Sequence, residues 1–215
     1  VNLLGMNTSS RTADAIGFSG SVAFSENNNA GSLAIGVAIG SNKINNSVSA
    51  FIIDSTVNSG AGVNLSSANS AIITAHSTAV AVALALGDKK ALSLSGGGAE
   101  STNVILPLIN AYIDASTITS HGDVTIAATD TSDIDATVLA AAIAASLGKS
   151  AGGASIGASF ATNLIGWEAI SADASGQIQA YAKNAKIAAE GDLYLTALEK
   201  STIDATVHAI AVGIV

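Results

Sequence analysis

The chain has 215 residues, of which 49% are hydrophobic, 4% aromatic and 11% charged, and it contains no cysteine. Average proteins carry about 25% charged residues, so the polar side chains here are mainly Ser, Thr and Asn. The net charge of −8 argues against nucleic acid binding because no basic patch can neutralise phosphate, and the absence of cysteine excludes a disulfide scaffold and thiolate metal sites.

The apolar runs, taken in chain order, are predicted to be strands. The first, 16–24, carries two glycines that oppose a helix. The second, 72–87, alternates Val and Leu with Ala, which is the period of a strand, and is joined around GDKK to a strand at 91–95. Residues 96–98, three glycines, are interpreted as a flexible turn.

The third run, DIDATVLAAAIAASLG at 133–148, is rich enough in alanine for a helix. Equivalent positions of a repeat share one structure, so we predict a strand at 134–147, joined by GKSAGG to a strand at 154–162. One face of these strands carries large apolar side chains and the other carries small apolar ones, which predicts that both faces are buried. Residues 136–147 are too few for a membrane-spanning helix, which needs about 20, so we expect no membrane insertion.

Three markers recur in one order and predict an internal repeat. SDIDATV at 132–138 matches STIDATV at 201–207 and, more weakly, segments at 71–77 and 12–17; alignment on Ala13, Ile73, Ile134 and Ile203 gives spacings of 60, 61 and 69. The second marker, Asn-x-Ile, begins at Asn42, Asn103 and Asn163. The third aligns without gaps at 50–65, 111–126 and 180–195. The copies are 1–60, 61–121, 122–190 and a partial 191–215, in one array.

These patterns predict an all-β fold, a parallel β-solenoid built from repeats of about 60 residues with extended Ala/Gly-rich strands. One turn per repeat is favoured, although several turns remain possible. In such a stack Asn42, Asn103 and Asn163 would form a ladder of side-chain amides. Asn also tolerates turn conformations, and the two interpretations are compatible.

AYI, STI and GDVTIAA within 111–128 are followed by IDA at 134–136, an Ala/Gly-rich run and Asn-x-Ile. This pattern resembles the filamentous-haemagglutinin-like giant bacterial surface adhesins, including leukotoxin-like filamentous adhesins. The resemblance implies a secreted, fibre-like β-helical stalk at the cell surface, although the family's secretion-signal domain has no counterpart here.

Residues with catalytic or metal-binding chemistry are few. The histidines, His76, His121 and His208, lack metal-ligand spacing, so we expect no metal and no cofactor. Acidic residues such as Asp130 and Asp123 suggest either calcium or simple Gly-Asp turns. No nucleophile with a partnered base stands out, so we expect no enzyme.

We therefore expect a structural repeat segment of an extracellular or cell-surface adhesin or filament. The chain stops within an apolar run, VHAIAVGIV, so we expect an open end that pairs with other copies or with neighbouring repeats of a longer chain. The alternative is a receptor- or glycan-binding module. The third copy has about nine extra residues, which predict a surface loop at 166–178 with Trp167 and Glu168 as binding residues towards a host or neighbouring cell.

Overall fold

The computed structural model describes residues 1–168 and 175–215, which form fifteen β-strands. No helix in this part of the chain is long and apolar enough to cross a membrane. The prediction of an all-β protein is confirmed, and residues 133–147 form a strand. The strands are β1 Asn2–Asn7, β2 Ser10–Ser25, β3 Ala30–Ile53, β4 Thr56–Ser59, β5 Val63–Asn69, β6 Ile72–Gly87, β7 Lys90–Asp114, β8 Thr117–Ser120, β9 Val124–Asp130, β10 Asp133–Leu147, β11 Ser150–Ile165, β12 Gln177–Lys183, β13 Lys186–Ala189, β14 Leu193–Glu199 and β15 Thr202–Ile214.

The strands form four parallel sheets, and each sheet collects the equivalent strands of successive repeats. Sheet 1 contains β1, β5, β9 and β14; sheet 2 contains β2, β6, β10 and β15; sheet 3 contains β3, β7, β11 and β12; sheet 4 contains β4, β8 and β13. Both β11 and β12 pair with β7, one after the other along its length. This order is compatible with a parallel β-solenoid.

The register agrees with the repeat markers in most places and differs in one. Ile73 lies beside Ile134, which lies beside Ile203. The alignment of Ala13 with Ile73 is wrong, because Ala13 lies beside Ala75. A shift of two residues keeps the same face inward, so the apolar pattern alone could not detect it.

Two kinds of interior lie between the sheets. The body, defined as sheets 1 and 4 with β3 from residue 44, β7 from residue 105 and β12, is filled by large apolar side chains. The blade, defined as residues 15–40, 77–101, 138–161 and 207–214, has sheets 2 and 3 face to face and is filled mainly by alanine. Buried residues of the body include Val63, Leu65, Ile109, Ile113, Ile118 and Ile126, and those of the blade include Ala34, Ala38, Ala79, Ala81, Ala83, Ala99 and Ala140.

Glycines let the two layers of the blade approach closely. Gly36, Gly97 and Gly157 lie side by side in register on the inner face of sheet 3. A Cβ atom on Gly97 would lie 2.8 Å from the carbonyl oxygen of Ala141 in sheet 2. The turn predicted at 96–98 is therefore wrong. The strand predicted at 91–95 is confirmed but continues much further, because β7 runs unbroken from Lys90 to Asp114, and Gly97 serves as a spacer between layers.

The outer faces of the blade are exposed on the edge strands and half-buried on the central strands of sheet 2, as at Val80 and Leu139, so the prediction that its strands are buried on both sides is wrong. Phe18 on sheet 2 and Ile156 on sheet 3 are 75% and 74% exposed. Sheets 2 and 3 bury their small faces against each other, and no third layer covers the large faces within the described residues. Each sheet is thus apolar on both sides but covered on only one.

Candidate functional site

The three asparagines of the second marker lie in register on the inner face of sheet 3 and are joined by hydrogen bonds. Asn42 Nδ2 donates to Asn103 Oδ1 at 2.8 Å, and Asn103 Nδ2 donates to Asn163 Oδ1 at 2.8 Å. Asn103 is fully buried and donates a further bond to Ser101 Oγ at 3.0 Å. Each amide can donate to one repeat and accept from another, so this row links three repeats through polar groups that would otherwise be costly to bury.

A second polar row, which the sequence analysis did not identify, lies where sheet 1 turns into sheet 2. Asn7 Nδ2 donates to Asn69 Oδ1 at 2.7 Å, and Asn69 Nδ2 donates to Asp130 Oδ1 at 2.7 Å. The buried Asp130 carboxylate also accepts from Ser132 Oγ at 2.7 Å and from Ser201 Oγ at 3.2 Å. The spacing of 61 between Asn69 and Asp130 equals the repeat, so a search for polar residues in one phase would have found them.

The other acidic residues considered for calcium bind neighbouring repeats instead of converging on one point. Asp123 Oδ1 accepts the backbone N–H of Asp192 at 2.9 Å, and Asp133 accepts the hydroxyl of Thr202. Residues 1–168 and 175–215 contain no group of three His, Asp or Glu side chains that could hold a metal ion. These carboxylates act as acceptors that join successive repeats.

Three aromatic rings stack on the outer face of sheet 3, over the body. The ring centroids of Phe51 and Tyr112 are 5.4 Å apart, and those of Tyr112 and Tyr181 are 4.9 Å apart with planes 7° from parallel. Desolvation raises the pKa of Tyr181, with smaller contributions from Tyr112 and Asp114. Stacked rings at the repeat distance add a third row of contacts along the array.

The described residues at the start of the predicted binding loop lie beside the outer face of sheet 3. Trp167 is 53% exposed and forms an isolated antiparallel bridge with Ser175. Both carboxylate oxygens of Glu168 lie 2.7 Å from Nζ of Lys43, which belongs to the first repeat. Residues 169–174 of this loop lie outside the described residues. Trp167 is therefore available to a ligand, whereas Glu168 is engaged in an ion pair that ties the loop to β3.

A groove of about 560 Å³ opens beside the last strands. Its lining includes Ile165, Ile178 and Ile203, and each of these is in register with a buried isoleucine of the preceding repeat. The groove is thus the apolar interior of the array, open at this end, and its chemistry suits the packing of further apolar side chains. No family model, curated protein or solved structure matches this chain.

Proposed function

We propose that the chain is a structural repeat segment of a secreted bacterial surface adhesin or extracellular filament, built as a parallel β-solenoid with one turn per repeat. The observation that carries the proposal is the register, because each strand lies beside its equivalent in the next repeat. The side-chain rows of Asn42–Asn103–Asn163 and Phe51–Tyr112–Tyr181 follow from it. The motif resemblance to filamentous-haemagglutinin-like adhesins supports the same role.

A stack of this kind gives rigidity along its axis. Each added repeat forms backbone hydrogen bonds in all four sheets and extends the rows of amides and rings, so contacts grow in proportion to length. Sheet edges present unpaired N–H and C=O groups, and inward-facing residues such as Leu195 and Ile203 are exposed at the last repeat. Another copy, or a further repeat, would cover both.

The proposal predicts end-to-end assembly that depends on the inward face of the last strands. We expect the purified chain to form fibres with a strand spacing of about 4.8 Å along the fibre. Leu195→Lys places a charge in the interior of the stack and should abolish the fibres. Tyr194→Lys is the matched control, because Tyr194 is adjacent and similarly exposed but lies on the outer face.

Electron microscopy and sedimentation at several concentrations measure the outcome. A wild-type chain that stays folded and monomeric at high concentration would contradict end-to-end assembly. Equal losses in Leu195→Lys and Tyr194→Lys would show that the interior face is not the joint.

The exposure of Trp167 favours a second candidate, a receptor- or glycan-binding module carried by the same array. An exposed Trp offers a flat apolar surface to a sugar ring or a protein side chain. Trp167→Ala should then abolish adhesion to cells while fibres still form. Adhesion that survives Trp167→Ala would remove this residue from the candidate site.

A further inference from the structure

The outer faces of the blade form two apolar surfaces on opposite sides of one thin layer pair. On sheet 2 the outward residues of β2 are Ile16, Phe18, Gly20, Val22 and Phe24, and those of β6 are Thr78, Val80, Val82, Leu84 and Leu86. On sheet 3 the outward residues of β3 are Gly31, Leu33, Ile35, Val37 and Ile39. The later strands continue these surfaces mainly with Leu, Ile, Val, Ala, Gly and Phe.

Charge is nearly absent from both surfaces, although the whole chain carries −8. Glu100 and His208 are the titratable residues on the outward positions, and both lie at the end next to the body. The charged residues of the blade lie instead at its tip, beyond the apolar bands: Glu26, Asp88, Lys89, Lys90 and Lys149. A surface of this kind marks an interaction site, because large contiguous apolar patches are rare on soluble monomeric proteins.

The size of these surfaces suits a weak protein–protein contact that repeats along a fibre. From Ile16 to Phe24 the strand covers about 30 Å at roughly 3.3 Å per residue, and four strands at roughly 4.8 Å give a width of about 19 Å. Sheet 2 therefore offers about 570 Å² and the three strands of sheet 3 about 430 Å². In a face-to-face contact the smaller face limits the overlap, so each partner buries about 430 Å² and the pair about 860 Å², which is the size of a weak contact that becomes effective when it repeats along a fibre.

We propose that the outer faces of the blade are docking surfaces for a second copy of this chain, which packs sheet against sheet so that chains associate side by side. The sheet 3 face has a groove of about 180 Å³ between Val37, Ile39 and Phe160, floored by Gly98. The sheet 2 face is fuller, with Phe18 and Phe24 raised above it. A ridge on one face and a groove on the other suit a head-to-tail contact that repeats without closing.

Protein covers these faces better than lipid would. In a single chain the edge strands of the blade, β2 and β15 in sheet 2 and β3 and β11 in sheet 3, leave backbone N–H and C=O groups unpaired within residues 1–168 and 175–215. Hydrocarbon cannot satisfy such groups, whereas the edge of a blade packed face to face with another copy stays in water. Side-by-side packing also uses both faces, since each copy can carry a neighbour on each side.

The test uses the full chain with a charge on each face. Phe18→Lys combined with Ile156→Lys places one lysine on sheet 2 and one on sheet 3. The matched control is Leu4→Lys combined with Met6→Lys, which adds the same charge to outward positions of sheet 1 that are each 66% exposed. Fibre width by electron microscopy, sedimentation across concentrations and flotation with phosphatidylcholine vesicles are measured for all three proteins.

We expect wild type and the Leu4/Met6 variant to form bundles several chains wide, with a face-to-face sheet spacing of about 10 Å in diffraction. The Phe18/Ile156 variant should form single-width fibres, and its concentration for lateral association should rise at least about tenfold. Wild-type fibres one chain wide would overturn the proposal, and so would wild-type chains that float with vesicles in place of associating. Lateral pairs without end-to-end fibres would contradict the proposed function while leaving this inference standing.

Discussion

The glycine row inside the blade makes the sharpest prediction about stability. In Gly97→Ala the new Cβ atom lies 2.8 Å from the carbonyl oxygen of Ala141, 3.1 Å from its carbonyl carbon and 3.4 Å from its nitrogen. All three atoms are backbone, so no side chain can rotate away, and sheets 2 and 3 must separate locally. Overpacking of this kind costs about 1–3 kcal/mol, and the separation also weakens dispersion contacts between the alanines nearby.

Gly98→Ala is the matched control, because Gly98 is the next residue of β7 and faces outward with no atom within 4 Å of its added Cβ. Replacing a glycine in a compatible conformation stabilises by about 0.4–1 kcal/mol through the unfolded chain. We therefore expect Gly97→Ala to lower the free energy of unfolding by about 2 kcal/mol and Gly98→Ala to raise it slightly. Urea unfolding followed by circular dichroism measures both, and changes that agree within about 0.5 kcal/mol would refute the close-packing argument.

Three further predictions concern single side chains. Asn103→Ala leaves Asn42 Nδ2 and Asn163 Oδ1 unpaired in the interior, so the free energy of unfolding should fall by about 2–3 kcal/mol; a loss below about 0.5 kcal/mol in urea unfolding would contradict the ladder's role. Ala115 has a φ of 47°, where Asn is tolerated better than Ala, so Ala115→Asn should raise the melting temperature, and no rise would argue against strain there. The pKa of Tyr181 is raised in the folded chain, so the folded state holds this proton more tightly. The contribution of this proton to the free energy of unfolding is present below pH about 10 and is lost as pH rises through the folded pKa. In Tyr181→Phe the free energy of unfolding should therefore depend less on pH in that range.

The repeat could be predicted because the residues that mark it occupy the same structural position in each copy. Asn42, Asn103 and Asn163 recur at the interval that sets the strand register, and the structure places them side by side. The alignment of the first copy on Ala13 is wrong because Ala13 lies in a segment without the isoleucine that identifies the other copies. A period of two cannot separate a correct alignment from one shifted by two residues.

The exposure of the blade could not be predicted, because alternation shows only that the two faces of a strand differ. Ala79 and Val80 alternate as they would in a strand between two layers. Which face is covered depends on how many layers the fold contains, and that number is a property of the whole chain path. The turn predicted at 96–98 is wrong for a related reason, since close packing between layers and the backbone conformations of a turn both favour glycine.

The single proline and the insertion in the third repeat lie at the same place in the stack, where the pairing of β7 with the third repeat is interrupted. Ile105 accepts the N–H of Gly166 through its carbonyl oxygen at 2.8 Å, and the backbone groups of alternate residues point to the same side of a strand. The nitrogen of Pro107 therefore faces the β11/β12 side. Pairing there stops at Ile105 and resumes at Leu108, so a missing N–H leaves no hydrogen bond unmade.

The interruption of pairing lies one repeat away from the proline in sequence. Residue 107 plus the repeat of 60 falls at Trp167, inside the loop, and Gly176 at the loop's end packs close to Pro107. In this array the proline thus marks the point at which the next repeat leaves the sheet. The Lys43–Glu168 ion pair crosses β7, the strand that carries Pro107, and the adjacent Trp167 is exposed.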